Sequence, residues 1–346
     1  MAYPWKWKGV VLTAPLKGDL DVVCELIEKK LAHAGVNLVV VQTRCRYEFK
    51  SHPECIGNEP LSEANVKQLL RTCRANGICL VPKMNLFAHQ SGRLNGPRDG
   101  ILHGYREDTD LFPYMPDGLL RAYPEFNETP DVDLRTAEET FCLCPSHPDC
   151  ARVVCDLMDE MLDAYEADAL HIGCDEAFDI GLCPRCRGKD KAKLYAVWVT
   201  MLHDHLAKRG AKVLMWGDRL LSAEASGYNN NYESSAIGTE AALGMIPKDV
   251  VLCDWHYGKH SAYKSVDLFA DAGFRMFFSP WRIPDMALAF YRYAKEHDRG
   301  HILGLLATSW CSSSELARLI LYGEPPRWDK TQSVADAWNE IVFNDP

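Results

Sequence analysis

The sequence predicts an α/β fold, a (β/α)8 TIM barrel occupying residues 1–346 as one domain, with a long loop or insertion after the third strand. Three observations predict it. Short β-branched runs alternate with longer amphipathic stretches along the chain, and that alternation specifies a parallel sheet wrapped in helices. A length of 346 residues suits one barrel with insertions. No glycine-rich phosphate loop follows the first strand, where the competing doubly wound open sheet would want one.

The elements follow in order. Residues 10–12 are the first strand, and residues 20–34 have helical periodicity up to a stop at Gly35. Residues 37–42 are the second strand. A helix starts at Ser62, with Asn65 three residues on, and ends at Ala75-Asn76-Gly77, before a third strand at 78–82. The polar, Gly- and Pro-rich stretch 87–144 is too long for a bare connection and reads as a functional loop or small insertion. A helix at 148–165 leads to the fourth strand at 169–173, and a helix at 191–208 to the fifth at 212–216. Strands at 250–254, 275–279 and 302–307 complete the eight, with helices at 261–272 and 284–296 between the last three.

Bulk composition excludes some classes. Hydrophobic residues at 47% and charged residues at 25% are ordinary for a globular chain. A formal net charge of −10 disfavours nucleic acid and anionic membrane surfaces as partners. No run reaches the roughly 18 apolar residues of a membrane span. The first residues carry Trp5, Lys6, Trp7 and Lys8 rather than a signal peptide, so a cytoplasmic location is expected. Most of the 14 cysteines, Cys24, Cys73, Cys79, Cys155 and Cys253 among them, lie in apolar runs. They read as small buried hydrophobes of a reducing compartment. Nothing in the sequence bears on oligomeric state.

Barrel chemistry sits at the C-terminal strand ends. Lys83, Asn85 and His89 follow the third strand, and Asp175-Glu176 the fourth. Trp216 and Asp218 end the fifth, Asp254, Trp255, His256 and Tyr257 the sixth, Trp281 the seventh and Trp310 the eighth. Any one of these tryptophans read alone is core. At four successive strand ends, flat indoles suit pyranose faces, and interleaved Asp, His and Tyr suit hydroxyls. The expected partner is therefore a carbohydrate. Side chains alternate along extended backbone, so Asp175 and Glu176 can address different atoms of one sugar: the glycosidic oxygen and a ring substituent. A separated carboxylate pair would suggest an ordinary retaining or inverting glycosidase, to which substrate-assisted enzymes are the recognised exception. In isolation an Asp-Glu pair is more often a helix cap.

The segment His171-Ile172-Gly173-Cys174-Asp175-Glu176 resembles the H-x-G-G-D-E signature of family-20 β-N-acetylhexosaminidases, with Cys174 in place of the second glycine. Val81-Pro82-Lys83-Met84-Asn85-Leu86-Phe87-Ala88-His89 is similar to the family's strand-three segment. Segments 120–126 and 144–146, Trp216-Gly217-Asp218-Arg219 and Asp254-Trp255-His256-Tyr257 resemble small, single-domain bacterial members. The resemblance implies removal of terminal β-linked N-acetylhexosamine through an oxazoline made by the sugar's own acetamide. It implies that Asp175 orients the acetamide, that Glu176 is general acid and base with its pKa raised towards the working pH, and that Tyr257 donates to the acetamide oxygen. His171 is then an orienter, or else a satisfied core histidine. No cofactor is required for this chemistry.

Two positions depart from the family pattern. Thr13-Ala14-Pro15-Leu16-Lys17 lacks the arginine expected after the first strand, and Trp310-Cys311-Ser312 stands where Trp-x-Glu is usual. The part of the site that reads O3, O4 and O6 is therefore rebuilt, with Asn85, His89, Asp218 and Asp254 as available polar groups and GalNAc slightly favoured over GlcNAc. A catalytically silent sugar-binding barrel is the alternative function, disfavoured by the retained acid pair. A metal-dependent barrel hydrolase would want His-x-His after the first strand, which is absent. Finally, Cys183-Pro184-Arg185-Cys186 and the pair Cys142 and Cys144 are a candidate structural zinc set. Free or redox-active thiols are the other reading.

Overall fold

The computed structural model describes residues 3–93, 114–116, 118–130, 141–228 and 232–344. The strands are β1 (Trp7–Thr13), β2 (Leu38–Gln42), β3 (Cys79–Lys83), β4 (Ser91–Arg93), β5 (Tyr114–Pro116), β6 (Ala169–His171), β7 (Lys212–Trp216), β8 (Val251–Trp255), β9 (Met276–Ser279) and β10 (Ile302–Thr308). Eight of them close a parallel barrel in the order β1-β10-β9-β8-β7-β6-β3-β2, while β4 and β5 form a separate antiparallel pair inside the insertion.

Parallel strands covered on both faces read as continuous apolar runs, and their two-residue period divides two cores. Val11, Val40, Val81, Leu214, Cys253, Phe277 and Leu306 share the cluster inside the barrel. Their neighbours Val10, Val39, Leu80, Met215, Leu252, Phe278 and Leu305 join the larger cluster between strands and helices. The seam between β1 and β10 requires glycine at 304. A Cβ there would meet the Trp7 carbonyl oxygen at 1.7 Å, and the ladder to β9 shifts register between Ile302 and Gly304.

The outer ring comprises α1 (Leu20–Leu26), α2 (Glu63–Ala75), α4 (Pro148–Tyr165), α5 (Lys191–Ala207), α7 (Ser265–Asp271), α8 (Pro284–His297) and α9 (Ser313–Tyr322), with α10 (Asp329–Trp338) packed on α8 and α9. Two short helices, α3 (Leu119–Ala122) and α6 (Ala223–Ser226), lie in loops. The helix expected over 20–34 is α-helical only to Leu26. It continues as a π-helical turn, Ile27–Leu31, in which Ile27 and Leu31 are both buried. Ser62 and Asn65 form a reciprocal capping box on α2. Among the described residues no helix is long and apolar enough to cross a membrane.

Candidate active site

A cleft opens at the C-terminal ends of the strands, lined by Lys83, Asn85, His89, Asp175, Glu176, Trp216, Trp255, Tyr257, Trp281 and Trp310. Both carboxylates of the acid pair converge on one imidazole. His89 Nε2 lies 3.1 Å from Asp175 Oδ2 and 3.4 Å from Glu176 Oε2. Burial opposes the charged forms, yet Asp175 and Glu176 push the His89 pKa up. His89 and Lys83 in turn hold the Asp175 carboxyl well below the usual carboxylate range. Asp175 therefore enters any reaction as an anion.

Lys83 ends β3 pointing into the barrel, 1% exposed. Its Nζ donates to Asn85 Oδ1 at 2.7 Å and sits 5.7 Å and 5.6 Å from the Trp216 and Trp310 ring centroids. Burial pulls its pKa down to about 8, with Asp175 opposing. Three buried polar atoms on cleft residues, Asn85 Nδ2, Asp175 Oδ1 and Trp216 Nε1, have no hydrogen-bond partner among the described residues. Buried polar groups are ordinarily satisfied, so three such atoms in one cleft point to a polar ligand.

The backbone here is held in an uncommon conformation. His89, Cys174, Glu176 and Trp310 have φ of 57°, 69°, 49° and 44°, each costing roughly 1–3 kcal/mol for a residue with a Cβ. Gly173 (φ 73°) packs against the strand-three exit, where a Cβ would meet Met84 O at 3.0 Å. Cys174 thus occupies a left-handed position to which glycine is better suited. Tyr195 Oη donates to the Cys174 carbonyl at 2.8 Å, and Trp216 N donates to the Gly173 carbonyl at 3.0 Å, fixing the turn.

Asp218 lies behind this turn, not in the cleft. It accepts from Glu176 N at 2.9 Å, Arg219 Nε at 2.7 Å and Trp255 Nε1 at 3.2 Å. Asp254 also faces away, because its neighbour Trp255 takes the inward direction. Asp254 Oδ2 accepts from Ser265 Oγ at 2.6 Å, and Oδ1 lies 3.2 Å from His256 Nε2. His171 lies beneath the floor, its ring centroid 4.5 Å from Trp216, and its Nδ1 accepts from Gly173 N at 3.1 Å. Burial pulls its pKa down, so it is a neutral imidazole. Asp218 and Asp254, offered by the sequence as polar groups for the sugar, therefore support the residues that line the cleft instead, and His171 lies beneath them where an orienting residue would.

Tyr257 accepts from Trp310 Nε1 at 2.5 Å. Its ring lies 4.7 Å from Trp255 and 5.0 Å from Trp281. Its backbone is held by a residue the sequence did not single out: Glu233 Oε1 accepts from Tyr257 N at 2.9 Å and Gly258 N at 3.2 Å. Glu233 Oε2 meets His256 Nδ1 at 3.0 Å and His260 Nε2 at 2.6 Å. Burial opposes protonation of His256, but Asp254 and Glu233 outweigh it and push the pKa up to about 9. Glu233 is an isolated acid in a polar loop, with no sequence signal to find it. Lys83 was legible as a strand end but not as a buried cation.

The cysteine set is also rearranged. Cys144, Cys183 and Cys186 come together with Glu128, and Cys142 is not in the group.

An acid pair facing aromatic walls at the mouth of a parallel barrel is the arrangement of a glycoside hydrolase. The chain belongs to glycosyl hydrolase family 20, whose catalytic domain matches residues 39–315. No curated protein sequence matches it. Among solved structures it is similar to a chitobiase of Flavobacterium johnsoniae, with a TM-score of 0.63 and 18% identity over 98% of this chain and 49% of that one. It is also similar to a β-N-acetylhexosaminidase of Bacteroides fragilis, with a TM-score of 0.62 and 15% identity over 97% of this chain and 70% of that one. An exo β-N-acetylglucosaminidase of Vibrio harveyi, solved with N-acetylglucosamine, gives a TM-score of 0.61 and 15% identity over 99% of this chain and 55% of that one. The chain thus spans about half the length of the Flavobacterium and Vibrio proteins. At such identities these likenesses concern the fold.

Proposed function

We propose that the protein is an exo-acting, retaining β-N-acetylhexosaminidase that works through an oxazoline intermediate. The observation carrying this reading is the shared imidazole of Asp175 and Glu176. It sets the two carboxyl groups side by side in a cleft walled by indoles, rather than across a bond from each other. In the reaction, Glu176 gives its proton to the glycosidic oxygen as the C1–O bond breaks. The acetamide oxygen of the same sugar bonds to C1. Asp175 accepts a hydrogen bond from the acetamide N–H and balances the positive charge developing on the ring being formed. Tyr257 donates to the acetamide oxygen. Glu176, now a carboxylate, takes a proton from water, which attacks C1 and opens the oxazoline with net retention.

Terminal GalNAc is the favoured substrate, ahead of terminal GlcNAc. The support is the pair of departures at residues 13–17 and at Cys311-Ser312, which leave Lys83, Asn85 and His89 as the polar groups of the cleft wall beside the acid pair. A site that hydrogen-bonds a hydroxyl rejects the epimer that strands its partner. The test is a panel of aryl β-glycosides. We expect turnover of both N-acetylhexosaminides, higher kcat/KM for GalNAc, competitive inhibition by a thiazoline mimic, and no turnover of the glucoside. Equal turnover of glucoside and N-acetylglucosaminide excludes acetamide assistance. Sugar binding without any turnover makes the protein a silent lectin-like barrel.

A further inference from the structure

The Glu128, Cys144, Cys183 and Cys186 cluster lies outside the catalytic cleft and takes no part in the chemistry above. Its ligand atoms all fall within 4.8 Å of one another. Cys144 Sγ is 3.4 Å from Cys183 Sγ and 3.6 Å from Cys186 Sγ. Two sulfurs bound tetrahedrally at about 2.3 Å from one zinc stand roughly 3.8 Å apart, close to these separations. A disulfide would require about 2.05 Å and would join only two of the three sulfurs.

The surroundings are those of a built site. All four residues are buried, none more than 3% exposed. The Cys183–Cys186 segment is a tight knuckle, with Cys186 N and Arg187 N both donating to the Cys183 carbonyl, at 3.0 and 2.8 Å. Glu128 is fixed by Cys183 N at 2.9 Å and Gly181 N at 3.4 Å. Among the described residues no lysine or arginine pairs with Glu128, although it is fully buried. A buried carboxylate without a cation is costly, and a divalent ion bound to it removes that cost. A cytosolic-style C-x-x-C away from any thioredoxin-like context is likewise a metal-ligand spacing.

We infer that Glu128, Cys144, Cys183 and Cys186 bind one structural zinc ion, which ties the insertion after β3 to the loop that carries Asp175 and Glu176. Glu128 and Cys144 come from the insertion and its return. Cys183 and Cys186 come from the loop between β6 and α5. On binding, the dication displaces three thiol protons to solvent and takes the Glu128 carboxylate as the fourth ligand. The coordination shell is then closed, so the ion holds structure and activates no water.

The test uses the full chain, purified without a metal-affinity step. Elemental analysis should find about one zinc per chain. Removal by a strong chelator should lower Tm by roughly 5 °C or more, reversed by added zinc, since binding energy of a structural metal is folding energy. Glu128→Gln should weaken zinc retention against a chromophoric chelator by at least roughly tenfold, whereas Cys142→Ser should retain the metal. Should Cys186→Ser fail to fold, cobalt(II) exchanged into the wild-type protein gives an independent reading: sulfur-to-cobalt charge transfer and intense visible bands of a tetrahedral site. Metal-free protein of unchanged Tm overturns the inference. So does a Cys144–Cys183 or Cys144–Cys186 disulfide in freshly prepared protein, or loss of zinc in Cys142→Ser.

Discussion

The two halves of the cleft are built by different physics. On the β3–β6 side, Lys83, Asn85, His89, Asp175 and Glu176 are placed mainly by charge and hydrogen bonding. On the β8–β10 side, Trp255, Tyr257, Trp281 and Trp310 are placed mainly by ring packing, with Tyr257 at the centre. The first half must hold two ionisable groups in different protonation states, which needs a fixed electrostatic environment. The second offers flat apolar faces, whose contribution grows with area and tolerates small displacements. Asp218 touches both halves, through Glu176 N and Trp255 Nε1.

The comparison breaks most visibly in kinetics. Glu176→Gln should lower kcat on a natural disaccharide by roughly 10²-fold or more, the scale of general acid catalysis, with KM little changed. Trp281→Ala should instead raise KM by about tenfold and leave kcat within a few-fold, the signature of lost uniform binding. Steady-state kinetics on both variants decide the matter, and equal losses of kcat would dissolve the distinction.

Asp218→Ala removes the joint between the halves and breaks its fully buried ion pair with Arg219. Stability should fall by about 3–5 kcal/mol, as for other broken buried pairs. In the enzyme that remains folded, kcat and KM should both worsen. Urea denaturation and kinetics read the two effects, and an unchanged KM would show that Trp255 does not depend on Asp218.

The aromatic half should carry its own pH dependence through Asp254, His256 and Glu233. The His256 pKa is raised to about 9 in the folded protein, from about 6.5 when unfolded. Its contribution is therefore complete below pH ~6.5 and is lost as pH rises to about 9. The shift corresponds to about 3 kcal/mol. Glu233, held below its ordinary value by His256 and His260 against burial, contributes above pH ~4.5 and loses this as pH falls. Tm should thus decline from pH 6 to 9.5 in the wild type and decline less in His256→Asn. Parallel slopes would show that the network does not titrate.

The smallest effect is expected at Cys174. Glycine there relieves the left-handed strain but gives up a buried thiol and adds freedom to the unfolded chain. Cys174→Gly should change stability by no more than about 1 kcal/mol and leave kcat within twofold. Calorimetry and kinetics check both, and a large loss would assign the thiol a role beyond filling space.

Much of this was legible in the sequence, for stated reasons. All eight barrel strands stood out because doubly covered parallel strands are unbroken apolar runs. Asp175 and Glu176 stood out because adjacency at a strand end is informative once the barrel is assumed. Asp254 was misplaced, although period-two alternation with Trp255 turns it outward. Glu128 was out of reach, because it lies in a segment without periodicity and finds Cys183 55 residues away. Lys83 was legible as a strand-end residue but not as a buried cation, because lysine is almost never fully buried, and Glu233 was missed because a loop acid carries no pattern.

Barrel closure has a consequence for how the chain is made. β1 pairs with β10 from Trp7↔Gly304 to Val11↔Thr308. Tyr3 Oη spans the seam, donating to Trp7 O and accepting from Leu305 N, and Ser309 Oγ donates to Val11 O. At about 5–20 residues per second, a ribosome needs roughly 15–60 s to pass from one of these strands to the other. Throughout that interval β1 has an unpaired edge and two apolar faces, the features that recruit neighbouring nascent chains. Yield in a cell should therefore depend on shelter of the first hundred residues during translation, more than on the stability of the finished barrel.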